Sequence, residues 1–531
     1  MTSLLLHDFL TQALSVKLED ADISSIHKTF SDLSNTLSVN ITGLDNPKIN
    51  LVVISQSHFY ISPTSEPINS RFSFNSIPLE FSLDEPLIHI LVCEPTSFSV
   101  ICSSFIDTAK AFKSGSFSLS VPLNTIGGHQ QGTIGLAEVD LKVPQIDEVF
   151  DCEFDWNQFN KSVQLFFSSF RGLCDVKSRC PPFFIKNQSG QTLPMFAYVS
   201  SRVNLDFQRL PTPQHCSRFV SLIPVRSITD ETLGKSSEEV RMLPAATSLL
   251  RYGDVIDLCN LLCSMLSCFG LSSFVCIGDD SNRSKSSFVI TLDTSSMTSS
   301  SILFWDAVSG RRYSLEAFQN QAFLLSIDYI YNNSNVYLNI QGNNSLGCVN
   351  FNLEDPQHWL SFNQNLIRNY NRNYPPFTVN LGNFNINTEV VKSKEIDITS
   401  SICSALEDFR KVEGRFTKFS DSTRPILKQA MYSYENERIF GVSVSSDLFA
   451  QSIKQVISPT QTFRAVPIQI KNSQINESIG FTVLSTLNSL VAGKELLNLD
   501  STALFNVQVS IFPYTEEVFG VWCVIAVVFE E

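Results

Sequence analysis

The stretch from Gly253 to Tyr313 constrains the fold more than any other. Leu258, Leu261, Leu262, Met265 and Phe269 recur at helical spacing, which predicts a helix from Val255 to Phe269 stopped by Gly270. Three short apolar runs follow: Ser273–Ile277, Ser287–Leu292 and Ile302–Asp306. A helix leading into three consecutive strands marks a mixed α and β unit, which the composition places over residues 216–360. An Asn-rich connector, Asn363 to Asn387, closes it.

At roughly 150 residues per domain, 531 residues predict about three or four domains. Apolar residues make up 43% and include 42 Phe, enough to bury real cores, so the chain is not disordered as a whole. Acids outnumber bases by 52 to 38, a net charge of −14. That argues against a nucleic-acid partner and against docking on an anionic membrane by charge. Met1–Phe9 lacks the basic start of a signal peptide, and no run approaches the ~18 apolar residues of a spanning helix. The 13 cysteines are odd in number and contain no Cys-x-x-Cys pair, so they read as reduced thiols buried in a cytosolic protein.

Upstream, residues 2–37 carry helical periodicity in two pieces, the second being Ile23–Leu37. Residues 49–143 read as all-β. The runs Leu51–Ile54, Phe72–Phe74, Leu87–Val92, Phe98–Phe105 and Phe117–Val121 are spaced as in a β-sandwich. Ile134 and Leu136 keep one phase and Val139, Leu141 and Val143 the other, which predicts a bulge near Ala137–Glu138. Trp156–Arg171 is a helix with Phe159, Val163, Phe166 and Phe170 on its apolar face and Gly172 at its end. Phe183–Val199 is a hairpin turning at Asn187–Gly190. Downstream, Thr399–Phe409, Pro425–Asn436 and Ser446–Ile457 read as helices. A terminal hairpin pairs Phe505–Ile511 with Val518–Phe529, the latter buried on both faces.

Motifs that carry chemistry are few. Cys259, Cys263, Cys268 and Cys276 lie at spacings that fit no common zinc knuckle. Asp84, Glu85, Glu94 and Asp107 are scattered, with no Asp-x-Asp pair to converge on calcium. The glycines form no helix-opening phosphate cradle. His7, His27, His58, His89, His129, His215 and His358 show no pair at metal-ligand spacing. No metal and no cofactor is expected.

The helix-then-three-strands order is that of papain-like and transglutaminase-like folds, whose pattern is roughly Gly-x-Cys, a helix to a Gly, His-Ala-Trp on a strand and Asp on another. The sequence resembles that pattern over Gly253–Gly270, Phe274-Val-Cys-Ile-Gly278, Ser286–Thr291, Phe304-Trp-Asp306 and Gly310-Arg-Arg-Tyr313. Together with Leu210–Val220, Tyr434-Glu-Asn-Glu-Arg438, Val509–Tyr514 and Val521-Trp522, these segments resemble the centrosomal protein of 76 kDa family. The resemblance implies a C2-type sandwich upstream. It places Val255 at the nucleophile position, Ser286 at the base position and Asp306 at the orienting acid. Valine has no lone pair to attack with, and a serine is no base near neutral pH. No His occurs between His215 and His358 to substitute.

These readings combine into an α+β multidomain pseudoenzyme: an N-terminal helical segment (1–40), a C2-type β-sandwich (41–145), a bridging helix and hairpin (146–215), a degenerate papain/transglutaminase-like α+β domain (216–375) and a C-terminal α/β domain (376–531). The resemblance implies a centriole or basal-body protein that restrains centriole duplication by binding other centriolar proteins. Two alternatives stand beside it. One is a cysteine peptidase or transglutaminase with displaced catalytic residues; the other is a lipid-tethering adaptor working through the C2-type domain.

Overall fold

The computed structural model describes residues 35–41, 48–55, 58–66, 71–77, 87–93, 95, 100–107, 116–125, 133–142, 154–174, 179–188, 190–226, 240–292, 302–321, 323–442, 446–470 and 478–530. The chain divides into two compact units. The first comprises Met1–Leu205, Val225–Trp305 and Tyr313–Leu381; the second comprises Asp206–Pro224, Asp306–Arg312 and Gly382–Glu531.

The first unit opens with eight strands: Asn35–Ile41, Asn50–Ser55, His58–Ile61, Arg71–Ile77, Leu87–Cys93, Val100–Asp107, Ser116–Thr125 and Thr133–Lys142. They form one antiparallel sheet in which the third, second, fifth and sixth strands lead into the seventh, eighth, first and fourth. Among the described residues the two groups of four are linked by two residue pairs, Cys102↔Thr125 and Ser103↔Asn124. Asn35–Leu37, assigned to a helix by periodicity, is therefore strand; the rest of that helical segment lies outside the described residues. The expected bulge also moves. Register runs evenly through Ala137 and Glu138 on both neighbours, and the pairing instead skips Ile134, between Leu123↔Gly135 and Asn124↔Thr133. The even register from Gly135 to Asp140 therefore leaves no bulge where the hydrophobic phase changes.

The helix Trp156–Leu173 buries the four predicted apolar residues, capped by Asp155, whose Oδ1 accepts from the Gln158 amide. Gly172 sits inside its last turn rather than ending it. The hairpin Phe184–Asn187 with Thr192–Pro194 turns as expected at Gly190 (φ 74°), but its second arm closes early into a 3-10 turn, Met195–Tyr198. A seven-stranded sheet follows, in the order Arg312–Ser314, Ile302–Trp305, Lys285–Leu292, Ser272–Asp279, Tyr329–Tyr331, Val336–Asn339, Trp359–Ser361. The helix Val255–Ser267 covers one face. On the other, Phe274, Cys276, Phe288, Ile290, Phe304 and Phe318 form a core. Val52, Leu91 and Cys93 of the eight-stranded sheet pack with Val240, Met242, Ala246 and Tyr252, of and around the helix Pro244–Leu250. The Asn-rich segment is no mere connector. It holds the helix Gln364–Asn373, capped by Asn363, and the short strand Val379–Asn380.

The second unit is built on a four-stranded sheet in the order Lys418–Phe419, Leu504–Pro513, Phe519–Glu530, Gln461–Ile470. The long helix Thr388–Val412 and the helices Ile479–Ser489 and Val491–Leu497 contribute to one core with the sheet. Arg424–Phe440 packs Leu427 and Met431 against Trp522, Val524 and Ala526. Phe519–Glu530 is buried on both faces, as its unbroken apolar run requires.

Candidate functional site

The tip of the helix Val255–Ser267 is built by a reciprocal cap. The Asp254 carboxylate accepts from the Asp257 amide at 2.9 Å, and the Asp257 carboxylate accepts from the Asp254 amide at 3.1 Å. The other Asp257 oxygen accepts from the Met242 amide at 2.8 Å, and Arg241 pairs with Asp254. Gly253 must be glycine, because a Cβ there would lie 2.9 Å from Asp257 Cβ and 3.0 Å from Thr247 Cγ2. Burial, with the Asp254 charge beside it, pushes the Asp257 carboxyl well above the usual range. Both of its oxygens are nevertheless occupied by backbone amides, so it fixes the turn instead of meeting a substrate.

The result is a rigid helix N-terminus whose partial positive charge would stabilise an anionic nucleophile. Val255, the first helical residue, stands there with 36% of its surface exposed.

The strand opposite is set by register. Cys259 Sγ lies 3.7 Å from Ser287 Oγ, Cys263 Sγ lies 3.7 Å from Ser273 Oγ, and Tyr331 donates to Asn260 Oδ1 at 2.8 Å. Ser287 pairs with Ile277 and shares the helix-facing side of the sheet with Val289 and Val275. Ser286 pairs with Gly278 and falls on the far face with Cys276 and Phe288. The structure therefore does not bring Ser286 to Val255. Two serines in succession carry no phase, and a one-residue offset exchanges the faces of a strand. Beside Ser286 the far face is roofed by backbone: the Ser326 carbonyl oxygen lies 1.8 Å from where a Gly278 Cβ would be.

Lys285 shares the helix-facing phase with Ser287, and sequence reading missed it. Its ammonium donates to Asp279 at 2.8 Å and pairs with Asp328, whose side chain is fully buried and also accepts from Asn344 at 2.9 Å. Burial alone would lower the Lys285 pKa, but the two carboxylates outweigh it and the shift is upward. The amine is held protonated and is no base. Its cross-strand position opposite Asp279 was a readable signal; Asp328, forty-three residues downstream, was not.

Asp306 serves its own turn. Its carboxylate accepts from the Val308 amide (2.9 Å), the Ser309 amide (3.3 Å) and the Ser309 hydroxyl (2.6 Å), while Gly310 adopts φ 72°. The thiols are equally quiet. Cys259, Cys263 and Cys276 are buried; burial pushes the Cys263 thiol up to about 12 and raises Cys276 and half-buried Cys268 as well. Among the described residues no cluster of His, Cys, Asp and Glu is arranged to hold a metal. Asp84, Glu85 and Glu94 lie outside the described residues, as does the side chain of Asp107. No described helix is long and apolar enough to cross a membrane. A cleft of about 590 Å³, open to solvent, is lined by Leu193, Val199, Pro244, Tyr370, Tyr374 and Phe377 among others, and by none of the three triad positions.

A family model described as the CEP76 peptidase-like domain matches residues 242–362, and one described as the centrosomal protein of 76 kDa C-terminal domain matches residues 387–530. The chain is 23% identical over 482 residues to the centrosomal protein of 76 kDa from Xenopus tropicalis, covering 84% of this chain and 70% of that protein. It is 23% identical over 484 residues to the human protein of the same name, covering 84% and 71%. Human Protein CC2D2B is 29% identical over 144 residues, 27% of this chain and 9% of that protein.

Proposed function

We propose that this chain, which belongs to the centrosomal protein of 76 kDa family, is a non-catalytic scaffold of the centriole or basal body, within the cytoplasm and its cytoskeleton. In this reading it restrains centriole duplication by binding other centriolar proteins. Its peptidase-like unit is a transglutaminase-like fold turned to protein binding; Val255, Ser286 and Asp306 stand in sequence order where a triad would, with Ser286 turned to the sheet face away from the helix.

The observation that carries the reading is the capped helix tip. The helix N-terminus that would favour an anionic nucleophile is built and capped, yet the residue there is a valine and the charged group on the facing strand is a lysine kept protonated. The thiols of that helix face the sheet, buried and with Cys263 raised far above neutral pH. The C2-type assignment of the upstream strands rests on their two groups of four, joined across a seam of two residue pairs. A tagged full-length copy in its own cell should form puncta that coincide with a centriole or basal-body marker, and Val255→Ala should leave them unchanged. Turnover of any amide by the purified chain, or diffuse signal throughout the cell cycle, would overturn this reading.

A further inference from the structure

The second unit gathers arginines from three separate segments. Arg218, on the helix Pro213–Ser221, is bidentate to Glu435 at 2.9 and 2.8 Å. The turn carrying Arg311 rests on the same helix: a Cβ on Gly310 would lie 2.8 Å from Ser221 Oγ. Arg438 stands three residues beyond Glu435 on Arg424–Phe440, its guanidinium carbon 5.9 Å from the Trp522 ring centroid.

The charges there do not balance. Glu435 is saturated by Arg218, by the Tyr514 hydroxyl (2.6 Å) and by the Trp522 indole (2.6 Å). Arg311 and Arg438 make no ion pair and no side-chain hydrogen bond among the described residues. Glu437 and then Glu435 add a favourable field at Arg438 without pairing to it. Burial, then Arg311, then Arg218 make Arg438 harder to keep protonated. In a chain of net charge −14, two unpaired guanidiniums at the junction of three segments form a concentrated positive site.

We propose that Arg311 and Arg438 bind the phosphate of a phosphorylated segment of a protein partner. A phosphoryl dianion balances both guanidiniums, whereas a single carboxylate balances one. Phe440 and Val442, 38% and 68% exposed just past Arg438, offer apolar contact to residues flanking the phosphate, which a free anion would not use. A membrane headgroup is disfavoured, because anionic bilayers recruit clusters of four to eight basic residues and would repel the rest of this acidic chain. The site belongs to the second unit and does not depend on the reading of the helix tip.

The test titrates full-length protein with a phosphothreonine pentapeptide flanked by leucines, its unphosphorylated form, inorganic phosphate and phosphatidylserine vesicles, read by calorimetry. The phosphopeptide should bind saturably and more tightly than inorganic phosphate, and the unphosphorylated peptide should not bind. Arg311→Gln and Arg438→Gln should each weaken binding about tenfold or more. Lys428→Gln, an exposed charge earlier on the same helix, should leave it unchanged. Arg311 is exposed and unpaired, so its variant folds and keeps the test sharp even if Arg438→Gln does not. Binding that is equal for free phosphate and phosphopeptide, that occurs only on vesicles, or that ignores Arg311→Gln would overturn the proposal.

Discussion

The helix tip at Val255 and the arginine–glutamate pair at Arg218–Glu435 handle charge in opposite ways. At the first, a capped helix N-terminus carries an exposed valine, which has no charge of its own to hold. At the second, 2% and 3% exposed side chains remain fully ionised, because every oxygen of the carboxylate and most of the guanidinium is satisfied. Burial alone would drive Glu435 upward; the arginine, tyrosine and tryptophan together bring it down. What survives of the electrostatic organisation therefore does structural work. It ties a helix from residues 213–221 to sequence more than two hundred residues downstream.

Breaking the pair should have the largest effect. Glu435→Leu strands a buried guanidinium and should lower stability by about 3–5 kcal/mol, whereas the double change R218M/E435L should recover most of it. Chemical denaturation of the two variants decides this, and a double variant no better than the single one would mean that the pair is not the source of the effect.

A pH titration sharpens the contrast from the other side. His89 is buried in the first unit next to Gln188, and burial pulls its pKa down from 6.5 to about 3. The unfolded chain takes up a proton as pH falls through 6.5 and the folded chain does not, so stability is lost progressively between pH 6.5 and 3. At pH 5 the loss from this one residue is about 2 kcal/mol. His89→Gln should remove that slope, measured as the pH dependence of the denaturation midpoint; an unchanged slope would place the acid sensitivity elsewhere. Glu435, held low by its partners, loses its own contribution only further down the acid limb.

The ion pairs at Lys285 are intermediate. Its side chain is 41% exposed, so solvent discounts the attraction, and Lys285→Met should cost about 1 kcal/mol, mainly by leaving buried Asp328 with Asn344 alone. Adding salt should weaken the native protein's advantage over this variant.

The parts legible in sequence were those whose signal is local. The helix Val255–Ser267, the strands after it and the closing hairpin all announce themselves by period. The edge strand Gln461–Ile470 and the helices Ile479–Ser489 and Val491–Leu497 went unread: Pro467 interrupts the strand pattern, and the helices are short and capped by no side chain. Helical periodicity at Ile23–Leu37 overran a strand because Asn35–Ile41 is held by pairing on both sides, which a window of sequence does not contain. The exposed valine at the first helical position was legible because its motif is contiguous. The true neighbours on the facing strand were not, since the face of Ser286 is fixed by pairing with Gly278 and the partner of Lys285 comes from residue 328.

The smallest expected effect is the most pointed test of the comparison. Val255→Cys puts a thiol at an exposed helix N-terminus, where the dipole lowers its pKa, and should change stability by no more than about 0.5 kcal/mol. Iodoacetamide should then label this one new site quickly, while the buried native thiols of the same helix, Cys259 and Cys263, react slowly. Amide hydrolysis should remain undetectable, because the facing strand supplies a protonated lysine and a serine where an imidazole is needed. Adding Ser287→His, on the face that the helix covers, should do more to perturb the new thiol's alkylation rate than Ser286→His on the far face. The reverse order would mean that the register read from Cys259 and Ser287 is wrong.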